Sequence, residues 1–481
     1  MLNVVRILAL AFLFLMLGGK STYAALATDC TLYASPTGND SNNGTSSSTP
    51  KTLIGATNAA VSGSVVCIMG GAYNLTARIF LVGGTPSAYT KYKAYGDSTP
   101  TITFNGPPGA VDSSEIFNAY GADLFNQGSF TNNYIEVRGI TFDGSNKADF
   151  CLFWDNVHHI NAIGNTCKNT LRGGIGSIHS DYLTTDGNKI THTGYGTIFN
   201  CINMSSPISY NTTEFFDTYT GFHNYVVNNI VSGGADLSTC HSEGKGTIID
   251  LSANGGTSYP PAGTPPTLIA NNVFFENGGP CFTAYYVSDV YFINNTCYKN
   301  ALDSLGYNKP ELEIDSPRVY TVNNIAYARS SSVNEYYVDG SGSTSLLTAG
   351  VVFFKDLYFN GAGLNFTPRD PTQFIHADPL FVAPPTIASG QYGTALDPAS
   401  LGTALQLQST SPAIDAGIDP TTIPGLNPNI VVGLRQYVLS DINGKPRPQG
   451  SGFDIGAYEY TSSSAATPPR APYQLSVTPV N

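Results

Sequence analysis

The sequence predicts an all-β fold, a parallel β-helix, and three observations carry that expectation. Only 12% of the 481 residues are charged, about half of the ~25% usual for soluble domains. A coiled coil or helical bundle needs surface Glu, Lys and Arg that such a chain lacks. Hydrophobic residues make up 41% and aromatic residues 11%, so a folded core is expected, not disorder. An apolar alternation closed by Asn-Asn or Gly-Asn returns through the middle of the chain at a spacing near ~23 residues, with no helical periodicity beside it. A solenoid with an N-terminal cap and an irregular C-terminal segment satisfies all three.

The elements follow in chain order. Met1 to Ala27 reads as a secretory signal, with Arg6 as its positive end, an apolar run Ile7 to Leu17, and a break at Gly18-Gly19-Lys20. That run is too short to cross ~30 Å of hydrocarbon, and no transmembrane segment is expected. A secreted or cell-surface location follows. The 8 Cys then lie in an oxidising compartment, and none forms a Cys-x-x-Cys pair. Disulfides are expected, with Cys30 and Cys67 paired because they flank the first mature segment. Residues 28–383 are read as the capped β-helix, with a short helix near Leu53 to Val61. Residues 384–460, rich in Pro, are read as a segment that folds back along the helix or closes its end. Residues 461–481 are read as a flexible tail.

The repeat itself is legible as Ile160-Asn-Ala-Ile-Gly-Asn165-Thr-Cys167 and Leu183-Thr-Thr-Asp-Gly-Asn188. It returns as Tyr225-Val-Val-Asn-Asn229, Leu268-Ile-Ala-Asn-Asn272, Phe292-Ile-Asn-Asn295-Thr-Cys297 and Tyr320-Thr-Val-Asn-Asn324, with weaker copies at Gly139, Asn211 and Asp356. Asn tolerates left-handed backbone at a bend, and its amide bonds to the Asn above and below in a stacked coil.

Three regions resemble the secreted right-handed parallel β-helix proteins of the pectin-lyase-like superfamily. They are the opening (Tyr33-Ala-Ser-Pro-Thr-Gly-Asn-Asp-Ser41, Pro50-Lys-Thr-Leu53, Val65 to Tyr73), the coils from about 135 to 360, and the end. The end reads Ser411-Pro-Ala-Ile-Asp-Ala-Gly417, Asp441-Ile-Asn-Gly-Lys-Pro-Arg447 and Asp454-Ile-Gly-Ala-Tyr-Glu459, and resembles a choice-of-anchor Q region. The stretch His241 to Asp250 is similar to an Asp-Gly-Asn-Gly-Ile-Ile-Ile-Asp motif of related β-helix proteins. It departs from that motif at Glu243 and Lys245 and matches it at Asp250. The scaffold hosts lyases, hydrolases, epimerases and non-catalytic surface proteins.

Candidate chemistry clusters between 154 and 285. Equal offsets in stacked coils form columns; counting back from each Asn places Asp155, His179 and Tyr285 on one outer face, with Asp250 on the analogous first strand of an intervening coil. For β-elimination on a uronate glycan, Lys245, His179, His223 or Tyr285 is the candidate base, with Asp250 in the same catalytic set. Asp181, Glu243 and Asp250 are candidate oxygen ligands for Ca²⁺, with Asp181 and Glu243 the two assigned to the metal. For glycoside hydrolysis, paired carboxylates from Asp155, Asp181, Glu243 and Asp250 are the candidates. Trp154, Asp155 and His241 are expected to bind substrate. Asp441-Ile-Asn-Gly444 lacks the closing Glu of a calcium loop and is read as a turn.

The leading expectation is a monomeric, secreted polysaccharide lyase. The alternatives are a glycoside hydrolase on the same groove or a non-catalytic glycan-binding β-helix. A net charge of −12 argues against a nucleic-acid partner. The same balance makes the cation-rich cleft of a polyuronate enzyme hard to build.

Overall fold

A computed structural model describes residues 29–108, 115–120, 132–195, 206–211, 215–237, 244–250, 259–287, 289–303, 309–339, 346–347, 350–386 and 403–462. The signal segment, Cys201, Cys240, His241, Glu243 and the tail from 463 lie outside these residues.

The chain winds through three runs of short parallel strands. One coil comprises Phe282–Tyr285, Val290–Ile293 and Thr296–Tyr298, and the next repeats it as Leu312–Asp315, Val319–Val322 and Ile325–Tyr327. Each strand pairs in parallel with its equivalent one coil away. The first strands of the coils form a 9-stranded sheet, from Ile79–Phe80 to Tyr336–Val338. The other two runs form a 20-stranded sheet bent along a corner. The parallel β-helix read from the sequence is the fold observed.

The corner explains the Asn repeat, and it uses two residues for two jobs. The first residue carries left-handed backbone: φ is 60° at Gly164, 66° at Gly187, 58° at Asn228, 55° at Asn271 and Asn294, and 54° at Asn323. Those are the residue types that tolerate this conformation. The second residue points inward and builds a ladder. Asn165, Asn188, Asn229, Asn272, Asn295 and Asn324 each donate Nδ2–H to the next rung at 3.0–3.1 Å. Asn272 shows how completely the buried amide is satisfied. Its Oδ1 accepts from the Asn229 main-chain N–H and Nδ2, and its Nδ2 donates to Val226 O and Asn295 Oδ1.

Each rung passes a donor in one direction, so the last rung needs only an acceptor. Asp356 supplies it. Its Oδ1 accepts from Asn324 N at 2.8 Å and Nδ2 at 3.0 Å, and its Oδ2 accepts from Thr321 Oγ1 at 2.6 Å. Burial pushes its carboxyl up to about 7. The weak copies at Gly139 and Asp356 are therefore true corners. Asn211 is not: it closes a strand of the 9-stranded sheet, so Asn188 and Asn229 are consecutive rungs.

A short helix, Leu53–Asn58, covers the first coil, with Leu53 and Ala56 buried and the Thr52 side chain capping Gly55 N. It stops before the expected Val61. Cys30 pairs with Cys67 as expected, and Cys151–Cys167 and Cys281–Cys297 each close a bridge within one coil. Residues 403–462 lie back along the corner. Outer-column Asn271 donates to Tyr437 O and Ser440 O, and Asn323 to Ile418 O. Apolar residues of this segment, including Leu405, Leu434, Ile455 and Tyr458, bury against the outer faces of the coils. Asp441 is a turn residue, accepting from Asn443 N and Lys445 N. Among the described residues no helix is long and apolar enough to cross a membrane.

Asn272→Ala should cost about 1–3 kcal/mol for each buried group left unpaired, measured by chemical unfolding. Asp356→Asn tests the terminus. Because the folded carboxyl titrates above its unfolded value of 3.8, native protein holds the extra proton and wild-type stability falls as pH rises towards about 7. The variant lacks that loss, so it should gain on wild type at pH 8 and not at pH 4.

Candidate active site

Side chains of the 9-stranded sheet alternate between the core and the outer face. Leu152, Trp154, Ile249, Phe282, Ala284, Leu312 and Ile314 are buried in the core. The alternate positions face out, and the strand register stacks them. The last position of each strand forms the column Asp155, Ile178, Asn211, Asp250, Tyr285, Asp315. The bond from Asp339 N to Ile314 O continues the ladder, so Asp339 is the next rung. Thr283, Glu313 and Tyr337 form the neighbouring column.

The carboxyl groups concentrate at one end of this face. Asp315 accepts from the Tyr259 hydroxyl at 2.9 Å and hydrogen-bonds with Asp339. Burial raises its carboxyl above the usual range, and the nearby charges of Asp339 and Glu313 add to that, against the Tyr259 bond. Tyr285 lies between Asp250 and Asp315. Its phenol is also raised, first by burial and then by Tyr286, Asp315 and Asp250. Tyr286 packs edge-on against Tyr285, with centroids 4.7 Å apart, and stacks on exposed Tyr259 at 5.5 Å. Glu313 is held by Lys309 Nζ at 3.0 Å and Thr283 Oγ1 at 3.2 Å. The result is two buried carboxyl groups two coils apart, Asp315 and Asp250, with aromatic rings beside them.

Sequence reasoning reached part of this. Asp155 and Tyr285 share one column, as the counting implied, and Asp250, read onto the analogous strand, is the rung beside Tyr285 and three rungs from Asp155. His179 is not on the column: Ile178 occupies the rung, and His179 sits one residue on with φ 48°, its Nδ1 3.4 Å from Asp155 Oδ1. Lys245 is buried, two residues before the Asp250 strand. Trp154 faces the core and is 1% exposed, so it offers no platform to a sugar. The parity of the strand decides this, because it is one residue from Asp155.

His223 and Asp181 belong elsewhere. His223 is fully buried, with Nδ1 2.7 Å from Asp181 Oδ2 and Nε2 3.0 Å from Tyr219 O. Both ring nitrogens already face oxygen partners inside the fold. Asp181 Oδ2 also accepts from Phe216 N, so this carboxylate orders a loop. His223 ends a pile of rings on the coil corner, Tyr134, His159, Tyr182 and His223, with centroids 4.0–4.7 Å apart. Burial lowers His158 to about 3 and His159 to about 4, so both rings are neutral. The expected partner of Asp181 in a metal site, Glu243, lies outside the described residues, as does His241. Among the described residues no three His, Cys, Asp or Glu side chains converge to hold a metal ion.

Asp315 was missed, although its signal is the one that marked Asp250. Leu312-Glu-Ile-Asp315 is an apolar strand ending in Asp, like Thr247-Ile-Ile-Asp250.

No family model and no curated protein matches the chain. Solved structures do resemble it. Pectate lyase Pel9A is 13% identical over 91% of this chain and 98% of its own, with a TM-score of 0.46. A glycoside hydrolase is 11% identical over 69% of this chain and 94% of its own, with a TM-score of 0.44. The alginate lyase of Paenibacillus sp. strain FPU-7 is 13% identical over 65% and 91%, with a TM-score of 0.39.

Tyr259→Phe removes the hydrogen bond that favours ionised Asp315. The Asp315 carboxyl should then titrate at higher pH than in wild type, read by carboxyl NMR. No upward movement would mean that Tyr259 does not set its ionisation.

Proposed function

We propose that this chain is a secreted polysaccharide-cleaving enzyme, and that the Asp250–Tyr285–Asp315 column performs glycoside hydrolysis. One observation carries the reading: a carboxyl group raised above the usual range by burial and like charge lies two coils from a second carboxylate in the same column. Inverting hydrolysis needs that division of labour, an acid for the leaving oxygen and a base for water on the opposite face. Asp315 is the acid, because environment raises it. Asp250 is the base. Two coils at ~4.8 Å per coil place the pair near ~9–10 Å, at the upper end of the ~6.5–9.5 Å range for inversion. Tyr285, on the rung between them, is placed to donate a hydrogen bond to the sugar or water held there. Tyr286 and Tyr259 offer ring faces to neighbouring residues of the glycan.

The disulfides and the N-terminal signal pattern support secretion. β-Elimination is the second reading, favoured by Lys245 just before the Asp250 strand and by Tyr285 on the column. It is weaker because the site gathers carboxylates where an enediolate needs positive charge.

Asp250→Asn and Asp315→Asn should each lower turnover by about 10²–10⁴-fold, the usual worth of a positioned acid or base. Polarimetry or NMR should show the first product with inverted anomeric configuration. Reducing ends without absorbance from unsaturated products support hydrolysis. Unsaturated products would move the assignment to the lyase, and full turnover by Asp250→Asn would remove it from the mechanism.

A further inference from the structure

We propose that the glycan taken by this groove is uncharged, carrying no carboxylate or sulfate along the bound stretch; the inference rests on the groove being the active site. The ground is the charge inventory of the coils that form it. Between residues 246 and 350 the only Lys and Arg residues are Lys299, Lys309, Arg318 and Arg329. Each is committed. Lys309 binds Glu313 at 3.0 Å. Arg318 holds Asp289 at 3.2 Å and donates to Pro260 O at 2.8 Å. Lys299 lies over the rings of Tyr298 and Tyr327, on the strands of a different run. Arg329 faces the charges of Glu311 and Asp303.

The connecting segments add nothing positive. Residues 251–258, 304–308 and 340–345 contain no Lys or Arg in their sequence. With Lys309 paired to Glu313 and Asp315 the group raised towards its neutral form, Lys245, five positions before Asp250, is a single ammonium against Asp250 and Asp339. A uronate or sulfate seated here would meet a net negative field at close range, in partly buried surroundings where charge is poorly screened. Uncharged pyranose rings meet no such penalty. The groups the groove does offer suit them: ring faces at Tyr259 and Tyr286, and the phenol of Tyr285.

The experiment compares retention of the wild-type protein and of the Asp250→Asn variant on immobilised glycans. The panel holds uncharged glucans, galactans, xylans and mannans, and anionic polygalacturonate, alginate and sulfated galactan. One matched pair isolates charge: fully methyl-esterified galacturonan and its de-esterified form. The expected result is binding to at least one uncharged glycan, with anionic glycans at least about tenfold weaker at low salt and the gap narrowing as salt rises. Glu313→Gln, which removes a negative charge and releases Lys309, should narrow the gap several-fold. Tighter binding to a polyuronate, weakened by salt, overturns the inference. So does failure to bind any uncharged glycan. Cleavage is read separately. An uncharged glycan that binds wild type but is never cut sinks the hydrolase reading and leaves the charge inference standing. A polyuronate cut to reducing ends does the reverse.

Discussion

The Asn ladder is the constraint on which the rest of this structure depends. Each inward amide spends both donors and both acceptor positions on fixed partners, one coil before and one coil after. A one-residue slip of any coil would break four bonds inside an interior where unpaired polar groups are expensive. Register is therefore fixed at every turn, whatever the loops between corners contain. Insertions are absorbed: Asn229 and Asn272 are 43 residues apart, yet bond as directly as Asn272 and Asn295 at 23. Fixed register turns sequence positions into columns, and a column of outward side chains is the raw material of the groove.

The same rigidity explains what was legible in the sequence. The Asn-Asn dipeptides report the corner twice over, once for backbone conformation and once for the ladder. That doubling made the repeat visible despite unequal loops. Asp155 and Tyr285 could be counted onto one column because both lie ten positions before their corner Asn, at Asn165 and Asn295. His179 lies nine before Asn188, so the tenth position, Ile178, takes the rung. Trp154 shows the limit of composition: a lone Trp beside an Asp suggests a sugar platform, but strand parity sends it into the core. His223 and Asp181 have the residue types of a catalytic pair. Only burial and partners identify them as a corner brace, and neither can be read from spacing.

Scarce charge is used structurally across the molecule, which is why charged motifs mislead here. Asp356 ends one ladder. Glu311 ends another, accepting from Asn300, which itself accepts from Asn277. The C-terminal motifs are spent in the same way. Arg447 is buried against Glu459 and the carbonyls of Asp454 and Gly456. Asp441 and Asp454 take the main-chain N–H groups of Glu459, Tyr460 and Asp415. A segment so dense in acids holds its own turns together with them. Most conspicuous carboxylates thus serve the fold, whereas those on the outer face of the 9-stranded sheet gather along one column and its neighbour.

That contrast also decides which carboxyl is the acid. Asp315 and Asp339 are on adjacent rungs, and burial together with the nearby charges of Asp339 and Glu313 raises the Asp315 carboxyl. The ladder prevents the coils from separating to relieve that repulsion. Tyr259 partly offsets it by bonding to Asp315. Asp250 has no carboxylate on the rung beyond it, because Tyr285 occupies that place. The single tyrosine between Asp250 and Asp315 sets their separation at two coils, the kind of spacing that an acid and a base acting across one bond require.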